Sequence, residues 1–174
     1  DGIVITHGTD TQEETAYFLN LTVKSDKPVV LTGSMRPSTA LSADGPLNMY
    51  NAVALAANPK AKGYGVMVVM NDEIHAAKDV RKMISTPVHT FQSPQEGLIG
   101  TVIFGDVLFF GKPSGLHTTN SEFSVKGITS LPRVDIVYMC ADASADLIDI
   151  MVKAGAKGIV IAGVGDGNMT AGTL

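Results

Sequence analysis

Short β-branched runs alternate with helix-like stretches along this chain. Ile3-Val4-Ile5-Thr6, Pro28-Val29-Val30-Leu31-Thr32 and the run 65–70 show no polar alternation, as expected of strands covered on both faces. Thr11 with Glu14 three positions later has the spacing of a reciprocal capping box, so a helix is predicted to about Val23. Asp44 ahead of Pro46 predicts a second helix, on which Leu47, Tyr50, Val53, Ala54 and Ala57 recur at helical spacing and read as a core-facing stripe. From Gly97 the pattern changes: runs 99–104 and 107–110 flank Gly105-Asp106 and predict an antiparallel hairpin. Residues 112–132 are polar, interrupted by Pro and Gly, and too long for an ordinary loop. Runs 134–139, 144–153 and 158–162 then give a fresh strand, helix and strand. The predicted class is α/β, with a mostly parallel sheet and crossover helices. An N-terminal domain over 1–111, an interdomain linker over 112–132 and the start of a smaller second α/β domain over 133–174 are expected.

Composition narrows the function classes. At 174 residues and 45% hydrophobic, the chain can fill a packed core, which removes disorder as the default. Lys plus Arg number 13 against 17 Asp plus Glu, so no cationic excess is available to neutralise a phosphate backbone and no nucleic-acid partner is expected. The apolar runs are far shorter than the roughly 20 residues of a membrane helix, so a soluble protein without a membrane partner is expected. The single cysteine, Cys140, has no partner for an internal disulfide and lacks zinc-site spacing. The chain enters a β-type run directly at Asp1 with no starter Met, and stops shortly after Gly163-Val164-Gly165-Asp166-Gly167-Asn168, so it reads as an internal fragment.

In parallel α/β sheets ligands collect beyond the carboxyl ends of strands. The segments there are His7-Gly8-Thr9-Asp10-Thr11, Gly33-Ser34-Met35-Arg36-Pro37, Asn71-Asp72-Glu73 and 163–168. The first is the most informative, because Thr9 and Asp10 lie between Gly8 and a helix N-terminus that favours an anion. Capping the helix accounts for one residue of Thr9, Asp10 and Thr11; three are redundant. A hydroxyl attacks, or positions a water, only with a base nearby. Lys82 reaches the first loop if both lie at one sheet edge, although by spacing alone such a lysine is usually a solvated charge. Other constellations are weaker. A dinucleotide fingerprint at 163–168 fails at Asn168, where the third glycine is required. His7, His75, His89 and His117 form no zincin pair, and no P-loop or GxSxG elbow occurs. Acyl or amide chemistry on a small ligand remains.

The loops also carry a resemblance. Ile5-Thr6-His7-Gly8-Thr9-Asp10-Thr11 followed by Glu13-Glu14-Thr15-Ala16-Tyr17-Phe18-Leu19 resembles the second signature of bacterial type II L-asparaginases and glutaminase-asparaginases. Gly33-Ser34-Met35-Arg36-Pro37, Ser42-Ala43-Asp44-Gly45-Pro46-Leu47-Asn48, Val68-Val69-Met70-Asn71-Asp72, His117-Thr118 with Ser121-Glu122-Phe123, and Leu131-Pro132-Arg133-Val134-Asp135-Ile136 are similar to that family, in its order.

The resemblance implies hydrolysis of the side-chain amide of L-asparagine, and possibly L-glutamine, with no metal or organic cofactor. It places the first nucleophile in a Thr-Gly-Gly-Thr-Ile stretch that this sequence does not contain, and a second catalytic set at Thr9, Asp10 and, within Asp79-Val80-Arg81-Lys82, Lys82. Asp10 is implied to grip the substrate ammonium, Ser34 to face the leaving amide through its backbone carbonyl, and Gly8 to allow close backbone approach. Asn168 is implied to reach a neighbouring subunit's site in a homotetramer built from intimate dimers. Asp166 departs from the family's usual Asn. A periplasmic location is implied, with the cytoplasm as the alternative, and a catalytically inactive amino-acid-binding or structural relative is the competing functional expectation.

Overall fold

A computed structural model describes residues 1–173, which fall into two compact units, 1–125 and 126–173. The first is built on strands β1 (Ile3–Thr6), β2 (Val29–Thr32), β3 (Val66–Met70) and β4 (Glu73–Ala76), with the two-residue strands β5 (Arg81–Lys82) and β6 (Phe91–Gln92) and the hairpin β7 (Gly100–Ile103) and β8 (Asp106–Phe109). Helices α1 (Gln12–Thr22) and α2 (Gly45–Ala57) are the crossovers from β1 to β2 and from β2 to β3. The main sheet runs β1-β2-β3-β4-β7-β8. Its first three strands pair in parallel and the remaining pairs are antiparallel. The α/β class with crossover helices holds.

The uninterrupted apolar character of β2 and β3 follows from cover on both faces. Val30, Met67 and Val69 pack with Ala52, Leu55 and Ala56 of α2. Their neighbours Val29, Leu31, Val66, Val68 and Met70 pack on the opposite side with Ala16 of α1 and with Phe91. Alternate residues thus feed two separate cores.

Four local expectations are corrected. The stripe Leu47, Tyr50, Val53 and Ala57 faces outward, and α2 buries Asn48, Asn51, Ala52, Leu55 and Ala56 instead. The helix is apolar nearly all round, so periodicity alone did not decide its core face. That choice follows from Asn48 and Asn51, whose amides bond to loops at the strand ends: Asn51 Nδ2 donates to Asp72 Oδ1 at 2.7 Å, and Asn48 is described below. The Thr11 side chain makes no capping bond, and neither does Asp44 within its own helix. Asn71-Asp72 is a tight turn rather than an open loop, both residues adopting left-handed φ of 53° and 64°, and it feeds an unforeseen antiparallel strand, β4. The β7–β8 turn sits at Phe104-Gly105, one residue earlier than expected, with φ of 54° and 85°.

Residues 112–125 belong to the first unit, where Lys24 Nζ donates to the carbonyls of Thr118 and Ser121 at 3.2 and 2.5 Å. The second unit is a strand, helix and strand: β9 (Val134–Tyr138), α3 (Asp146–Lys153) and β10 (Gly158–Ala162), the strands parallel with Gly158 opposite Val134. Among its described residues, Val137 and Met139 are the buried apolar side chains.

Candidate active site

The turn after β1 carries Gly8, Thr9 and Asp10 to the start of α1, whose first turn holds Glu13. Beyond β4 the chain returns to the same rim as β5 and delivers Lys82. The Lys82 ammonium donates to Thr9 Oγ1 at 3.0 Å and to Asp10 Oδ1 at 2.8 Å, across 73 and 72 residues of sequence. Its backbone N–H donates to Glu13 Oε2 at 2.5 Å, so the lysine is held at both ends, by α1 at its backbone and by the preceding turn at its ammonium. The Lys82 side chain is 17% exposed and that of Asp10 is 94% exposed. The hydrogen bond from Lys82, then its charge, hold the Asp10 carboxyl below the usual carboxylate range. A half-buried cation is thus anchored to a carboxylate that still faces water.

The second loop follows β2. Ser34 lines a hollow of about 410 Å³ together with Thr6, His7, Gly8, Thr32, Gly33, Gly45 and Met49. A neighbouring hollow of about 360 Å³ is lined by Asp10, Lys82, Met83, Ile84 and Ser85. The two loops touch at Gly33: a Cβ there would lie 2.6 Å from the His7 carbonyl oxygen and 3.3 Å from Thr9 Cγ2. Gly8, Thr9, Asp10, Ser34 and Lys82 therefore gather at one end of the sheet. Asn168 belongs to the second unit, where its N–H and C=O exchange bonds with Val164 at 2.8 and 2.9 Å across the turn after β10.

Sequence reasoning passed over three residues. Glu13 was visible only inside a longer signature, and its hold on Lys82 had no local signal. Asp44, expected to open α2 as its cap, turns its carboxylate back to the Ser34 loop. Gln12, in the first turn of α1, is fully buried behind Gly33, with neither side-chain amide atom hydrogen-bonded. The histidines stay separate: His75 Nδ1 pairs with Ser93 Oγ at 2.9 Å, His7 with Thr15 and His117 with Thr118. Among the described residues no group of three or more His, Cys, Asp or Glu could hold a metal ion, and no helix is long and apolar enough to cross a membrane.

Residues 1–114 match the family model described as Asparaginase, N-terminal, and residues 133–174 match the Glutaminase/Asparaginase C-terminal domain. The chain is 56% identical over 170 residues to L-asparaginase 2 of Bacillus subtilis, covering 98% of this chain and 45% of that one. It is 52% identical over 174 residues to a Haemophilus influenzae protein named probable L-asparaginase periplasmic, covering 100% of this chain and 50% of the other. A solved structure of a probable cytoplasmic L-asparaginase from Campylobacter jejuni matches with a TM-score of 0.97 at 53% identity, covering 99% of this chain and 57% of that one. The chain spans about half the length of these relatives. Thr9, Asp10 and Lys82 meet within a stretch matched by the N-terminal family model, and the C-terminal one follows in order: the chain belongs to the asparaginase family.

Proposed function

We propose that this chain carries the threonine, lysine and aspartate part of an enzyme that hydrolyses the side-chain amide of L-asparagine, and of L-glutamine, to the acid and ammonia. The observation behind the reading is the convergence of Lys82 Nζ on both Thr9 Oγ1 and Asp10 Oδ1. Because Lys82 donates to the Thr9 oxygen, the Thr9 hydroxyl proton is free to be donated to a water or to an acyl oxygen. Asp10 keeps one carboxylate oxygen unengaged by Lys82 and faces solvent, which suits it to pair with the ammonium of a free amino acid. The Ser34 loop supplies backbone dipoles for the carboxamide, and Gly8 leaves the ligand room to approach the main chain.

The reading needs no metal or organic cofactor. By resemblance, the first nucleophile is a threonine outside this chain, the assembly is a homotetramer of intimate dimers with Asn168 serving a neighbouring site, and the protein is exported to the periplasm. The relatives' names include both a periplasmic and a cytoplasmic protein.

On the whole protein, Thr9→Val and Lys82→Met are each expected to lower ammonia release from L-asparagine at least about a hundredfold, the range of an acid–base group. Unchanged turnover in both variants rejects the assignment.

A further inference from the structure

We infer that the first turn of α2 is a brace for the Ser34 loop, and that Asp44 and Asn48 are positioning residues which aim both backbone groups of Ser34. The kinetic part of this inference rests on the function proposed above; the structural part does not. A carboxylate at a helix start ordinarily accepts from its own first turn. Asp44 instead accepts from Met35 N–H at 2.9 Å through Oδ2 and from Arg36 N–H at 2.9 Å through Oδ1, two consecutive amides of the second loop. Four positions along the helix, Asn48 Nδ2 donates to the Gly33 carbonyl at 3.0 Å and to Asp44 Oδ2 at 3.1 Å. Asn48 Oδ1 accepts from Asn71 N–H at 3.1 Å, which ties the brace to the end of β3. Asn48 is only 2% exposed, so these bonds are made away from competing water.

The consequence for Ser34 follows from peptide planarity. The Ser34 C=O shares a planar unit with Met35 N–H, and Ser34 N–H shares one with the Gly33 C=O. In each trans unit the two groups point in opposite directions. Asp44 holds Met35 N–H and so directs the Ser34 carbonyl away from itself. Asn48 holds the Gly33 carbonyl and so directs Ser34 N–H the other way. Both peptide planes flanking Ser34 are thereby fixed by side chains that do not line the hollow. Gly45 completes the arrangement from the side, since a Cβ there would stand 3.3 Å from Ser34 Cβ.

The test compares Asp44→Ala and Asp44→Asn in the whole protein by steady-state kinetics on L-asparagine and by amide hydrogen exchange over residues 33–37. Asp44→Ala is expected to lower kcat by about ten- to a hundredfold, the range for displaced groups that do not themselves react. KM should move by less than about threefold, since Asp10 is untouched. The Met35 and Arg36 amides should exchange at least about tenfold faster. Asp44→Asn keeps one acceptor oxygen but turns an amide NH2 towards the other donors, so its kcat is expected to lie between those of Asp44→Ala and the unaltered protein, with amides outside residues 33–37 exchanging as before, which a general loss of folding would not show. Faster exchange with an unchanged kcat overturns the positioning role, and unchanged exchange overturns the brace. If the unaltered protein releases no ammonia, the proposed function fails, and the exchange of Met35 and Arg36 in Asp44→Ala still decides for or against the brace.

Discussion

The two loops that meet at Gly33 are held by opposite means. The first is held at the tips of side chains: one ammonium, delivered from 72 residues away, bridges a hydroxyl and a carboxylate that is 94% exposed. The second is held along its backbone, by a carboxylate and a carboxamide from positions only 8, 9 and 15 residues distant. Asp10, the group proposed to meet a charged ligand, is left facing water. Groups that only present a dipole are clamped. A site assembled this way can exchange ions in one wall while the other keeps its geometry.

The largest effect should separate the walls kinetically. If Thr9 and Lys82 act as one unit, Thr9→Val combined with Lys82→Met should fall no more than about threefold below Lys82→Met alone. Asp44→Ala combined with Lys82→Met should instead multiply the two separate losses, as expected of groups sharing no partner. Multiplying losses within the first loop would break the comparison.

Acid should also separate them. Burial lowers His75 from 6.5 to about 4, so the unfolded chain takes up a proton between those values that the folded chain refuses. Stability should therefore fall as pH drops from 6.5 towards 4, by at most about 3 kcal/mol. Glu73, whose carboxyl burial raises, works in the opposite sense over its own range and makes that figure an upper one. Urea unfolding at a series of pH values measures this, and His75→Gln should flatten the profile. The Asp10 carboxyl is depressed, so its contribution is present above 3.8 and is lost only as pH falls through its lower folded value. The scaffold should weaken before the ion pair lets go; a urea midpoint that holds steady down to pH 4 contradicts this.

Asn48→Ala leaves the Gly33 carbonyl and Asn71 N–H without their partner, and a loss of about 1–3 kcal/mol in denaturant unfolding is expected. The smallest effect on stability belongs to Asp10→Asn, which should abolish most turnover and leave the melting temperature nearly where it was, because the carboxylate end of this ion pair is exposed and such pairs contribute little to stability. A clear drop in melting temperature would place Asp10 among the clamping groups instead.

Much of the candidate site could be read from sequence because its members sit at strand ends: Thr9 and Asp10 follow an apolar run, and Lys82 lies within a recognisable signature. The class of fold was legible for the same reason, since β2 and β3 have no polar alternation. What could not be read were the places where polar side chains replace apolar ones inside the core. Asn48 and Asn51 look solvent-facing by composition, yet they bind strand-end loops and turn the apolar stripe of Leu47, Tyr50 and Val53 outward. Asp44 misled in the same way, because a cap and a cross-loop brace use one residue type at one position. β4 was hidden because Asn-Asp serves equally as open loop or tight turn, and only the pairing of Val68 with His75 and Val69 with Ile74 decides between them.

Gly33 sets how close the two walls stand. A β-carbon at this position would meet the His7 carbonyl oxygen, the Gln12 amide oxygen and the Thr9 methyl. A single added methyl would act as a wedge there, widening the cleft without altering any reacting group. Position 33 is therefore the wrong dial for enlarging the cleft: a side chain there gains space only by pulling apart the register between the ion-pairing wall and the dipolar one.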